Sequence, residues 1–144
     1  KSFFDINFFS NFEILRIVTG KKYINNNSSI VIMSSVMADL GQPGKTAYCA
    51  SKAAIIGLVN SLSLELSNRG IRVNAISPGV VRTPMTDKLF SQLDKKQIED
   101  IVKMHPIGIG SVEDVTELIL YLISSKSKWI TGQNIKIDGG YSVQ

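Results

Sequence analysis

Residues 30–79 hold the decisive pattern: Ile30-Val31-Ile32-Met33-Ser34-Ser35, a loop with Gly41-Gln42-Pro43-Gly44, then Thr46-Ala47-Tyr48-Cys49-Ala50-Ser51-Lys52 opening an apolar stretch to Gly70, and finally Ile71-Arg72-Val73-Asn74-Ala75-Ile76-Ser77-Pro78-Gly79. The run 30–33 is short, continuous in apolar residues, β-branched and bounded by turn residues. That is how a strand covered on both faces of a parallel sheet reads. Residues 47–68 read as a helix, with Thr46 as its N-cap and Gly70 as its C′ residue. At 1.5 Å per residue this helix is about 33 Å long. Residues 71–77 form a second strand, halted by Pro78-Gly79.

Working outward, Phe4, Phe8, Phe12, Leu15 and Val18 recur at nearly helical spacing, so residues 2–24 predict a helix ending near Lys21-Lys22. Residues 25–28 form a polar turn. Downstream, residues 85–104 hold one or two amphipathic helical pieces. Ser111 caps a helix to about residue 124, with Asp114 at N3 as a capping box whose acid is too short. Residues 134–138 give a third strand, ended by Gly139-Gly140. Helix, strand, helix, strand, excursion, helix, strand is half of an α/β, Rossmann-like doubly wound parallel sheet, and residues 1–144 read as one such segment. The 47–68 helix is apolar on more than one face and therefore needs two covers, the sheet and a second subunit. The series Phe3, Phe4, Phe8, Phe9, Phe12 reads as core or subunit contact, and Trp129 as a packing residue.

Of 144 residues, 44% are hydrophobic and 19% charged, a balance that suits a buried core and excludes a disordered linker or acidic tail. The formal net charge of +4 is scattered, as in Lys21-Lys22 and Lys95-Lys96, so no arm for nucleic acid is expected. Cys49 is the single cysteine and His105 the single histidine. The first reads as a packed small residue and the second as a loop side chain, with no metal site and a reducing, cytoplasmic setting. No apolar stretch approaches the length of a membrane span, and the first residues lack the order of a signal peptide. The chain begins without methionine inside a helical pattern, as one joined part-way through a fold would.

Chemistry concentrates at Tyr48 and Lys52. A spacing of four puts both on one helix face. An ammonium beside a phenol favours the phenolate, and a helix N-terminus acts in the same sense. Such a tyrosine exchanges a proton with a carbonyl or alcohol oxygen. Ser34-Ser35 and Pro78-Gly79 end neighbouring strands at the edge where open α/β sheets bind ligands, and Thr83 follows closely. Asn7 is an amide among aromatic residues, where lack of a partner would be costly.

Taken together, Asn7, Ser34-Ser35-Val36, Tyr48-x-x-x-Lys52, Asn74-Ala75-Ile76-Ser77-Pro78-Gly79 with Thr83, Ile130-Thr131-Gly132-Gln133 and Asp138-Gly139-Gly140 resemble the short-chain dehydrogenase/reductase family. The closest type is the classical group containing 3-oxoacyl-acyl-carrier-protein reductases. The resemblance implies reversible hydride transfer between NAD or NADP and a carbonyl or alcohol substrate. By it, Tyr48 is the general acid/base, Ser35 polarises the substrate oxygen, and Lys52 tunes the tyrosine and bonds the nicotinamide ribose. Asn7 supports a water leading from Lys52 to solvent. Pro78, Gly79, Val81 and Thr83, with Tyr48 and Lys52, contact the cofactor, and residues 83–105 form a substrate lid. A homodimer or homotetramer is implied, with neither nucleic acid nor membrane as partner.

Two features depart from the family pattern. No G-x-G-x-x-G-like turn and no Asn-Ala-Gly segment occur in the chain. It corresponds to the catalytic, C-terminal half of a longer protein and should bind a dinucleotide poorly by itself. A catalytically silent fragment, serving as a dimerisation module or proteolytic remnant, is the alternative. The loop Pro106-Ile107-Gly108-Ile109-Gly110 also lacks an arginine common there, so it should be held differently.

Overall fold

Three strands, β1 (Ser29–Met33), β2 (Arg72–Pro78) and β3 (Asn134–Ile137), lie in that order and run parallel in the computed structural model, which describes residues 2–143. Ser29 to Met33 face Arg72 to Ile76, and Ala75 to Pro78 face Asn134 to Ile137. Helix α2 (Thr46–Glu65) joins β1 to β2, whereas α3 (Pro84–Phe90), α4 (Lys95–Lys103) and α5 (Val112–Ile123) lie between β2 and β3. A π-helical turn (Asp5–Phe9) and α1 (Ser10–Val18) precede them all.

Successive strand side chains point to opposite faces, and both faces are covered. On one, Leu15 of α1 and Ile55 and Val59 of α2 pack with Ile32, Val73 and Ala75. On the other, Val115 and Leu122 of α5 pack with Ile76, while Val31, Ile135 and Ile137 add to that core. The continuous apolar runs predicted for a two-sided parallel sheet are therefore explained.

Several boundaries differ from the sequence reading, each because a remote group intervenes. The first helix stops at Val18 and does not reach Lys21-Lys22. The Arg69 guanidinium donates to the Thr19 and Ile24 carbonyls, closing that end from across the fold. Thr46 lies inside α2, whose N-cap is Lys45 without a side-chain bond. The helix ends at Glu65, followed by a 3-10 turn (Ser67–Arg69) that leads to Gly70 at φ 65°. A Cβ at Gly70 would collide with the Asn27 side chain. Gly70→Ala should thus cost at least the roughly 1–2 kcal/mol of a left-handed non-glycine residue, read as a lower urea midpoint at unchanged m-value.

Asp114 proves long enough for a capping box. Its carboxylate accepts from the Ser111 backbone N at 2.7 Å, and its own N donates to Ser111 Oγ at 3.2 Å. The bonds that the Ser111 backbone N and hydroxyl donate to it hold the Asp114 carboxyl below the usual carboxylate range.

Trp129 is 96% exposed and so packs little among the described residues, while its neighbour Ile130 turns into the core. Phe3, Phe9 and Phe12 are likewise exposed, so the aromatic series is not core. His105 is the reverse case, at 3% exposure and wholly interior. By length and composition α2 could cross a membrane, contrary to the sequence reading. Here it lies on the sheet, with Ser51, Ile55, Val59 and Ser63 buried along one stripe.

Candidate active site

The carboxyl ends of β1 and β2 stand side by side, because Ser34 N continues the ladder to the Ile76 carbonyl at 2.7 Å. The start of α2 is fastened onto that edge by two reciprocal bonds. Ser34 Oγ donates to the Lys52 carbonyl at 3.0 Å, and Lys52 Nζ donates to the Met33 carbonyl at 3.2 Å. Partial burial lowers the Lys52 pKa. Its Nζ lies 6.0 Å from the centroid of the Tyr48 ring, as i,i+4 spacing on a helix predicts. The Tyr48 ring meets Phe3 edge-on at 5.7 Å.

Ser35 is 8% exposed and caps the 3-10 turn Val36–Ala38, accepting from Met37 N at 3.2 Å. A hydroxyl that accepts there keeps its own O–H to donate. Asn7 joins the cluster indirectly. Its Nδ2 donates to Ser51 Oγ at 3.0 Å, and Ser51 Oγ donates to the Tyr48 carbonyl at 2.7 Å. The Asn7 carbonyl accepts from Asn11 Nδ2 at 2.8 Å, a side-chain bond next to the π-helical turn. Such turns recur at functional sites because they disturb the regular backbone pairing.

Pro78, Gly79, Val81 and Thr83 run along the adjoining edge. Gly79 N donates to the Ile137 carbonyl at 3.0 Å, and a Cβ there would stand 3.0 Å from Asp138 and 3.1 Å from His105 Nε2. Both contacts are tighter than ordinary van der Waals distance, so a side chain there would need Asp138 and His105 to give way slightly. Val81 bridges to Gly110, which is how the loop lacking the arginine is held. Thr83 caps α3 by accepting from Thr86 N at 3.2 Å. Among the described residues no hydrogen bond links Pro78, Gly79, Val81 or Thr83 to Tyr48 or Lys52. The structure thus links Asn7 through Ser51 to the Tyr48 carbonyl and ties Lys52 to the end of β1, where Ser35 follows; Pro78 ends the neighbouring strand β2, with Gly79, Val81 and Thr83 after it.

Motif reading gave no individual role to Ser34 or Ser51, whose hydroxyls tie the site together, or to His105. A double serine after a strand is a detectable signal for Ser34. A serine one residue before the lysine, on the buried helix stripe, is one for Ser51. For His105 the sequence offers none. The segment Ile130-Thr131-Gly132-Gln133 is structural. Thr131 Oγ1 accepts from Val73 N, and buried Asn74 bonds the Ile130 carbonyl and Gln133 N, so side chains carry part of the β2–β3 seam.

An all-parallel sheet sheathed on both faces, with its polar cluster at the strands' carboxyl edge, defines part of a Rossmann-like α/β domain. The family model described as enoyl-(acyl carrier protein) reductase matches residues 1–142. The 3-oxoacyl-[acyl-carrier-protein] reductase FabG of Rickettsia felis is 43% identical over 137 residues, covering 94% of this chain and 55% of the relative. A short chain dehydrogenase family protein from Francisella tularensis superposes with a TM-score of 0.89 at 31% identity, covering 98% of this chain and 61% of that one. A 4-hydroxyisoleucine dehydrogenase mutant complexed with NADH and succinate gives 0.87 at 36% identity, covering 98% and 58%. The chain belongs to the short-chain dehydrogenase/reductase family. It spans about half the length of the curated relatives it matches.

Proposed function

We propose that the polypeptide carrying this chain is an NAD- or NADP-dependent oxidoreductase acting on a carbonyl or alcohol substrate of the 3-oxoacyl type. The observation that carries this reading is the fastening of Lys52, on the α2 face that also carries Tyr48, to the carboxyl end of β1. The names of the 3-oxoacyl-acyl-carrier-protein reductase relatives favour the substrate class.

The residues present fit the nicotinamide end of such a cofactor. Lys52 offers an ammonium beside the strand edge, and Ser35 keeps an O–H to donate at the same edge. When bound, the cofactor supplies or accepts the hydride. Tyr48 moves the proton: its O–H donates to the substrate oxygen during reduction and recovers the proton in the reverse direction. Ser35, with its O–H free to donate, stabilises the negative charge that develops on that oxygen. Lys52 holds the nicotinamide ribose and sets the field at the tyrosine. Asn7, anchored through Ser51, orders a water between Lys52 and solvent. Pro78, Gly79, Val81 and Thr83 would line the nicotinamide. Residues 83–105, which include α3 and α4, act as the substrate lid within the single segment 1–144.

The test is nicotinamide absorbance with an acetoacetyl thioester, using each of NADH and NADPH and the intact polypeptide. Oxidation dependent on the thioester is expected. Failure with both nucleotides across short acyl, sugar and simple alcohol or ketone substrates would overturn the assignment. The rival reading is a silent dimerisation module or proteolytic remnant; tight nucleotide binding by the intact polypeptide would exclude it.

The partner is a second copy, as a homodimer or homotetramer in the cytoplasm. Its support is a groove of about 400 Å³ between the first two helices, lined by Phe8, Phe12, Ala54, Gly57, Leu58 and Leu62 among others, next to exposed Phe9. Light scattering at micromolar concentration should therefore give a mass of two or four subunits. Leu58→Asp should lower it, because a charge buried in an apolar interface is costly. A monodisperse wild-type monomer would refute the assembly.

A further inference from the structure

Beyond that chemistry, the one histidine occupies a junction that the proposed mechanism does not use. His105 Nε2 accepts from Val80 N at 3.1 Å. An acceptor Nε2 requires the proton on Nδ1, which then donates to the Ile101 carbonyl at 2.9 Å. The imidazole face stacks on Tyr141, with centroids 4.9 Å apart. One buried ring therefore ties three segments: the end of α4 through Ile101, the exit of β2 through Val80, and the C-terminal turn through Tyr141. Gly79 adjoins the junction, because a Cβ there would lie 3.1 Å from Nε2, tighter than ordinary van der Waals contact.

We propose that His105 is a positioning residue, which holds the 79–81 backbone in the form that receives the nicotinamide and couples it to the lid helix α4. This rests on the oxidoreductase reading above. Val80 N has the imidazole as its acceptor in an interior site, and loss of that acceptor frees the segment to shift toward another. Because the same ring grips Ile101, movement of α4 is felt at 79–81, and occupancy beside Gly79 is felt in the lid.

Three variants of the intact polypeptide separate the contacts. Gln places an amide oxygen near the Nε2 position, Asn places an amide N–H near Nδ1, and Phe keeps only the stack on Tyr141. His105→Gln should keep nucleotide affinity, by fluorescence titration, near that of wild type. His105→Asn and His105→Phe should weaken it roughly tenfold, as loss of one buried hydrogen bond predicts, with KM for the nucleotide rising more than kcat falls. Equal nucleotide affinity in all three variants, or affinity that merely follows Tm, overturns the proposal. Wild-type hydrogen exchange gives an independent measurement should the Asn and Phe variants not fold. Added nucleotide should slow exchange at 79–81 and at 95–104 together, and protection confined to 79–81 overturns the coupling. The two readings fail differently. If Tyr48→Phe is inactive while the His105 variants bind nucleotide equally, only this inference is lost; full activity of Tyr48→Phe removes the mechanism beneath it.

Discussion

Replacing Tyr48 by phenylalanine in the intact polypeptide is expected to lower turnover by about 10²–10⁴-fold, the usual contribution of a positioned general acid/base. Nucleotide affinity should be unchanged. The substitution removes one hydroxyl and keeps the ring that meets Phe3 edge-on, so neither the start of α2 nor the Lys52 anchor on Met33 is disturbed. Ser35→Ala should also reduce turnover at constant nucleotide affinity, since it deletes the remaining O–H donor at the site. Turnover by nicotinamide absorbance beside fluorescence titration gives both readings. If Tyr48→Phe retained more than about a tenth of wild-type turnover, the acid/base assignment would be wrong.

The second large effect falls on Lys52, and it divides stability from activity. Lys52→Met should lower turnover by about 10²-fold or more through loss of the ammonium beside the proton donor. It should also weaken nucleotide binding roughly tenfold or more, as expected for a lost charged hydrogen bond. Stability should move the other way. Burial lowers the Lys52 pKa, so the folded chain binds this proton less tightly than the unfolded chain does. The desolvation penalty is carried in full below the folded pKa and is relieved as pH rises toward the unfolded value. Methionine removes that penalty while keeping most of the packed stem. Calorimetry at neutral pH should therefore show an equal or higher Tm for Lys52→Met. A clear loss of Tm would mean that the bond to the Met33 carbonyl matters more than the desolvation.

Within this molecule, the sequence by itself was enough for whatever depends on near neighbours. The apolar run 30–33 located β1, because a strand buried on both faces reads as apolar throughout, and the turn residues Pro78-Gly79 and Gly139-Gly140 marked the ends of β2 and β3, each to within a residue or two. The order of elements gave the doubly wound half-sheet, since a parallel pair needs a crossover and a helix supplies it. Tyr48 and Lys52 were legible as a pair because four residues make one helical turn. Tertiary structure decided the rest, where the deciding partner is remote in sequence. Arg69 ends α1 from 50 residues beyond Thr19, and no local signal marks where such a guanidinium will land. Asn7 meets Ser51 across 44 residues, and only docking of the first helix on α2 makes that bond. Trp129, read as a packing residue, lies outside, and His105, read as a loop side chain, follows α4 in a bend but is buried. Burial follows which neighbour is already committed to the core: Ile130 turns inward and leaves Trp129 to solvent, while Val80, Ile101 and Tyr141 close around the imidazole.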